Sequence, residues 1–238
     1  MREAVKLSKA GKGPPDSQGA KECGAMPGAM RAVVIARFGD PEVLELREVP
    51  RPHTGRQDIL VRVRGSGLNR ADLLQRMGRY PAPPDCPQEI PGLEYAGTVE
   101  EVGGGVTLWS PGDRVMGILG GGGYAEHVSV HELAAVRVPA GISLDDAGAI
   151  PEAFMTAWDA LFRQMGLSEG ETVLIHAVGS GVGTAAVQLA QAAGVRAIGT
   201  SRTRHKVERA LELGLDVGIM ADGDWPEQVL RASGGKGV

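Results

Sequence analysis

The residues best suited to chemistry are Gly179, Gly181 and Gly183. They lie between an apolar run, Val173 to Ile175, and a helically spaced stripe of Val182, Ala185, Ala186, Leu189 and Ala190. A short β-branched run reads as a strand covered on both faces. Residues without side chains just after it let backbone N–H groups approach an anion, and the positive end of the following helix then faces that anion. The pattern predicts a dinucleotide pyrophosphate site over Ser180, Gly181, Val182 and Gly183. About 20 residues beyond such a loop, an acidic side chain serves the ribose of NAD and a basic one the 2′-phosphate of NADP. Here the second strand runs into Thr200, Ser201, Arg202, Thr203, Arg204, His205 and Lys206, with no carboxylate. Hydroxyls from Thr200 and Ser201 with charge from Arg202, Arg204 or Lys206 suit a 2′-phosphate, so NADP is the expected cofactor. The plainer alternative is that Arg204 and Lys206 decorate an exposed helix whose Glu208 and Glu212 pair with nearby bases.

Alternating elements must hold that loop. The spacing predicts strand 172–176, helix 182–193, strand 196–200, helix 203–213, strand 217–220 and helix 224–232, an order that implies a parallel, right-handed sheet. This is one half of a doubly wound domain, and the sequence is expected to be C-terminally truncated, with the nicotinamide half mostly absent. Upstream the texture is short strand candidates, Ala32 to Ala36, Val43 to Val49, Ile59 to Arg64, Tyr95 to Val102, Arg114 to Met116 and Tyr124 to Val130, punctuated by Pro and Gly. They describe a compact, mostly β domain. A short helix is expected over Asn69 to Met77, which Asn69 caps, and a capping-box-like start at Ser143 opens helices of Ala147 to Ala149 and Phe154 to Met165. The expected division is a disordered leader over 1–29, a β-rich domain over 30–150 and a dinucleotide-binding domain over 151–238.

The chain has 238 residues, 25 Lys plus Arg against 29 acids, and 42% apolar residues. That balance argues against dedicated nucleic-acid or anionic-membrane binding and allows a buried core. Two distant cysteines, Cys23 and Cys86, are no disulfide framework and cannot build a four-thiolate zinc lobe, so a cytoplasmic protein is expected. No apolar run approaches membrane-spanning length. His53, His127, His131, His176 and His205 are scattered without a spaced Cys partner and read as surface or strand histidines.

The chain resembles the medium-chain dehydrogenase/reductase superfamily, specifically its zinc-free, NADPH-using quinone oxidoreductases, and among those the p53-inducible type. The matching segments are Leu68-Asn-Arg-Ala-Asp72, Gln75-Arg-x-Gly78 with Tyr80, Pro91-Gly-Leu-Glu94, Gly122-Gly-Tyr-Ala-Glu126, Ile150-Pro-Glu-Ala153 and Ile175 through Ala186. The resemblance implies an α/β protein with a β-rich, GroES-like domain followed by a Rossmann domain, acting as a homodimer. Where zinc-dependent members carry Cys, His and Cys around the metal, this chain has Asn69, Leu93 and Glu152, so metal-free hydride transfer to a small-molecule quinone or enone is implied. By the same resemblance Asn69 and Tyr80 line the substrate cleft, where an amide and a phenol can each donate to a quinone oxygen. Thr156 contacts the cofactor, its plainer role being helix-interior back-bonding. Relatives carry a phosphate-holding tyrosine near the third strand where this chain has Ala221. The alternatives are a zinc-free enoyl or alkenal reductase and a catalytically inactive truncated binding protein.

Overall fold

A computed structural model describes residues 28–238. The expected leader falls almost wholly outside the described residues. The chain divides after Pro151 into two compact units.

In the first unit, β1 (Ala29–Ile35) and β2 (Leu44–Pro50) form an antiparallel pair that matches Ala29 with Pro50 and Ile35 with Leu44. The main sheet joins β3 (Asp58–Gly65), β4 (Glu94–Val102), β5 (Arg114–Ile118), β6 (His127–His131) and β7 (Val136–Arg137) in the antiparallel order β6-β3-β4-β5-β7. Ile59, Val61, Tyr95, Val99, Val115, Val128 and Val130 gather into one buried cluster. The first four residues of β4 are buried on both faces. Tyr95 enters that cluster, while Ala96 packs with Val138 and with Ala147 of α2 (Leu144–Ala147). Ser143 caps α2 by accepting from the Asp146 amide, as its sequence promised. The helix stops at Ala147 rather than opening there, because that cap starts it one residue after Ser143. Tyr124 precedes β6 instead of joining it, and its side chain serves the polar cluster described below. Buried Glu132 ties the 107–109 turn to the sheet, accepting from the amides of Thr107 at 2.8 Å and Leu108 at 2.9 Å.

The second unit is a parallel sheet in the order β10-β9-β8, made of β8 (Thr172–Ile175), β9 (Arg196–Ser201) and β10 (Val217–Met220). Strand alternation sends Val173, Ile175 and Ala197 to a core shared with Ala185, Ala186 and Ala190 of α4 (Gly181–Ala192) and with Ala210 of α5 (Arg204–Glu212). Leu174, Ile198 and Ile219 meet Trp225 and Val229 of α6 (Trp225–Ala232) in a separate cluster. With helices packed on both faces, every residue of β9 after Arg196 is buried. The expected helix over Phe154 to Met165 begins earlier, as α3 (Pro151–Trp158), and widens into a π-helical segment over Asp159–Gln164. Pro151 starts it because a fixed φ and a missing N–H cost nothing in a first helical turn. Among the described residues no helix is long and apolar enough to cross a membrane.

Candidate functional site

The sequence-predicted nucleotide residues converge in the second unit. β8 ends at Ile175, and the chain turns through Ala177 at φ +50°, the only non-glycine with positive φ among the described residues. Ser180 then caps α4, its Oγ accepting from the Gly183 amide at 3.0 Å. That bond uses one of the free N–H groups of the first turn and leaves the amides of Gly181 and Val182 at the open helix mouth.

The three glycines differ in their work. A Cβ on buried Gly183 would lie 2.7 Å from the carbonyl oxygens of both Ala177 and Val178, so this glycine lets the helix pack against its own loop. One on Gly179 would lie 2.6 Å from Lys206 Cβ. At Gly181 the nearest atom is Ala153 Cβ at 4.0 Å, so the space there is open. Thr156, exposed on α3, follows Ala153 by three residues and so shares its helix face.

Loop and strand ends enclose a cavity of about 330 Å³ lined by His176, Ala177, Gly179, Ser180, Thr200, Ser201, Arg202, Thr203, Lys206 and Ala221. Arg202 and Lys206 line it together with His176, and no carboxylate does. Arg202 and Lys206 are exposed at its edge, as a phosphate partner must be, whereas Thr200 is 1% exposed and Ser201 7%. Each hydroxyl has one protein partner. Thr200 Oγ1 lies 2.9 Å from His176 Nδ1, and Ser201 Oγ accepts from the Thr203 amide at 3.2 Å. His176 also meets Trp225 edge to face, ring centroids 5.0 Å apart. Sequence reading set His176 aside, since its partners lie far along the chain.

In the first unit, Asn69 precedes α1 (Arg70–Arg76) and is held from two sides. Its backbone amide donates to Asp72 Oδ2 at 2.7 Å, the capping that an acid three residues on predicts. Its side-chain nitrogen donates to Glu94 Oε1 at 2.7 Å. Asp72 also accepts from the Tyr124 hydroxyl at 2.8 Å and from the Gly92 amide at 3.3 Å. Burial, and then that bond to Asp72, hold the Tyr124 phenol well above its ordinary pKa, so it remains a proton donor. Glu94 is 2% exposed, and a Cβ on Gly67 would lie 2.1 Å from its Oε1.

Asn69, Asp72 and Tyr124 border a cavity of about 460 Å³ whose other walls include Pro41, Leu44, Leu68, Leu73 and Pro91. Tyr80, 44% exposed, is not among the residues lining it. Of the three positions where the resemblance would look for zinc ligands, two lack the Cys or His that such a site takes: Leu93 is apolar and 4% exposed, and Asn69 donates its side-chain N–H to Glu94. Among the described residues no group of three or more His, Cys, Asp or Glu could hold one.

Residues 55–140 match the alcohol dehydrogenase GroES-like domain family and residues 181–238 the zinc-binding dehydrogenase family. A human quinone oxidoreductase is 32% identical over 216 residues, covering 88% of this chain and 64% of its own length. The mouse synaptic vesicle membrane protein VAT-1 homolog-like is 38% identical over 177 residues, covering 73% of this chain and 42% of its own. Thus the chain spans 42% to 64% of the length of these curated relatives. Among solved structures, an NAD-dependent alcohol dehydrogenase superposes with a TM-score of 0.80 at 36% identity, covering 88% of this chain and 69% of that one. A mycobacterial protein solved with NADPH gives 0.77 at 32% identity, covering 88% and 65%. The CurK enoyl reductase gives 0.80 at 28% identity, covering 88% and 65%.

Proposed function

This chain belongs to the medium-chain dehydrogenase/reductase superfamily, and on that premise we propose that it is part of a zinc-independent NADPH:quinone oxidoreductase of the p53-inducible type. The observation that carries the cofactor choice is the cavity at the end of β9, which offers Arg202 and Lys206 and no carboxylate. A ribose diol would want an acid there, and a 2′-phosphate wants charge. Likeness alone supports either nicotinamide, since one similar structure is named for NAD and another holds NADPH.

When bound, NADPH supplies a hydride from C4 of its nicotinamide. The chain's own part is to bind and orient. The Gly181 and Val182 amides at the mouth of α4 suit the pyrophosphate, with Thr156 nearby on α3. Asn69, and Tyr80 by resemblance, serve the acceptor. A donor N–H near a quinone oxygen stabilises the negative charge that develops as hydride arrives, and a solvent proton completes the hydroquinone. The unit is proposed to work in the cytoplasm as a homodimer.

The test is fluorescence titration with NADPH and NADH, then turnover of 1,2-naphthoquinone. NADPH preference with quinone turnover is the expected result, and equal binding of the two nicotinamides overturns the cofactor assignment. A second reading, enoyl or alkenal reduction, draws support from the CurK likeness. It wins if crotonyl or alkenal substrates turn over faster than quinones.

A further inference from the structure

The cradle contains an oddity. His176 is exposed on the cavity wall, yet its ring is fixed by two neighbours from different elements. Thr200, buried on β9, holds Nδ1 at 2.9 Å, and Trp225, packed into the Ile198–Ile219–Val229 cluster, meets the ring edge to face. An exposed side chain ordinarily keeps its rotamer freedom, and freezing it costs conformational entropy. A ring frozen at the wall of a cavity is pre-organised for what enters it.

We propose that His176 is a specificity-determining residue of the nucleotide site, its Nε2–H donating to the 2′-phosphate of the adenosine ribose. The inference rests on the NADP reading above. Thr200 binds at second hand. Its hydroxyl, 1% exposed and bonded to the imidazole, sets the ring instead of meeting the phosphate itself. Because a threonine hydroxyl can donate as well as accept, it can give its hydrogen to Nδ1, and neutral imidazole then carries its proton on Nε2. An anion in the cavity selects that tautomer. Thr200 stands near the end of β9, where the adenosine ribose lies in a doubly wound domain, and His176, Thr200 and Arg202 line one cavity. Arg202 and Lys206 supply charge from flexible stems, and His176 supplies a direction.

Calorimetric titration of the chain with 2′,5′-ADP and with 5′-AMP isolates the 2′-phosphate. Wild type is expected to favour 2′,5′-ADP. His176→Phe keeps a ring against Trp225 but has no nitrogen. Its affinity for 2′,5′-ADP should fall about tenfold, the worth of one hydrogen bond to a charged group, with 5′-AMP unchanged. His176→Gln, which places an N–H donor near the Nε2 position, should recover part of that loss. Thr200→Val, matched in shape but unable to hold the ring, should fall by a smaller factor for 2′,5′-ADP alone. If His176→Phe weakens both ligands equally, or neither, the inference fails while the NADP reading stands. If wild type shows no preference for 2′,5′-ADP, both fail together.

Discussion

Gly183 and Gly181 sit two residues apart and should answer the same substitution in opposite ways. At Gly183 an added methyl meets two backbone carbonyl oxygens at 2.7 Å, and backbone cannot step aside cheaply. Gly183→Ala should therefore cost about 1–3 kcal/mol in urea unfolding, as overpacking does. Gly181→Ala meets nothing closer than 4.0 Å in the protein and should leave stability unchanged or raise it by about 0.5 kcal/mol through helix propensity. If the open space at Gly181 belongs to the pyrophosphate, that stable variant will bind NADPH more weakly. In the first unit, Tyr124→Phe removes one donor from buried Asp72 and should cost about 1–3 kcal/mol. Sequence reading saw the glycines and Asn69 because their signals are local. Spacing alone assigns no partner to His176, Glu94 or Tyr124, because those partners lie 24, 25 and 52 residues away and no spacing rule reaches that far.

Elements whose signals are local were legible for the same reason. The Ser143–Asp146 and Ser180–Gly183 caps close over three residues, and the apolar runs of β8 and β9 stand out against the polar faces of α5. The change from α3 to a π-helical segment at Asp159 carries no such signature. Nor did the reach of Glu132, whose carboxylate serves the turn at 107–108. Bonds from those two amides hold it below the ordinary glutamate range. With its folded pKa depressed, Glu132 adds stability above its unfolded pKa and loses it as pH falls through the folded value. Acid titration of native stability should show that loss below about pH 4.3, the usual glutamate value. Glu132→Gln should lose less stability than wild type over the same window, the remainder coming from other depressed carboxylates such as Asp113 and Glu126. Trp109, whose indole donates to the main-chain carbonyl of Glu132 at 2.8 Å, stands beside the turn and offers a fluorescence signal for its loosening.

At the scale of the whole molecule, each unit closes its own hydrophobic core. The four residues Asn69, Asp72, Glu94 and Tyr124 lie before Pro151, and every residue lining the cavity at the end of β9 lies after it. Saturating nucleotide should act on the second unit, raising its stability by about 2.7 kcal/mol at a hundredfold excess over Kd. Differential scanning calorimetry checks this, and a shift confined to the first unit's core would contradict it. That separation also bears on how such a protein can change its trade. Because β9 and the start of α5 contain the side chains that would choose between nicotinamides, and the Asn69 cluster belongs to the other unit, a graft of residues 200–206 is expected to exchange one coenzyme for the other. The acceptor preference would pass through that exchange intact, so the two specificities can be inherited, lost or redesigned one at a time.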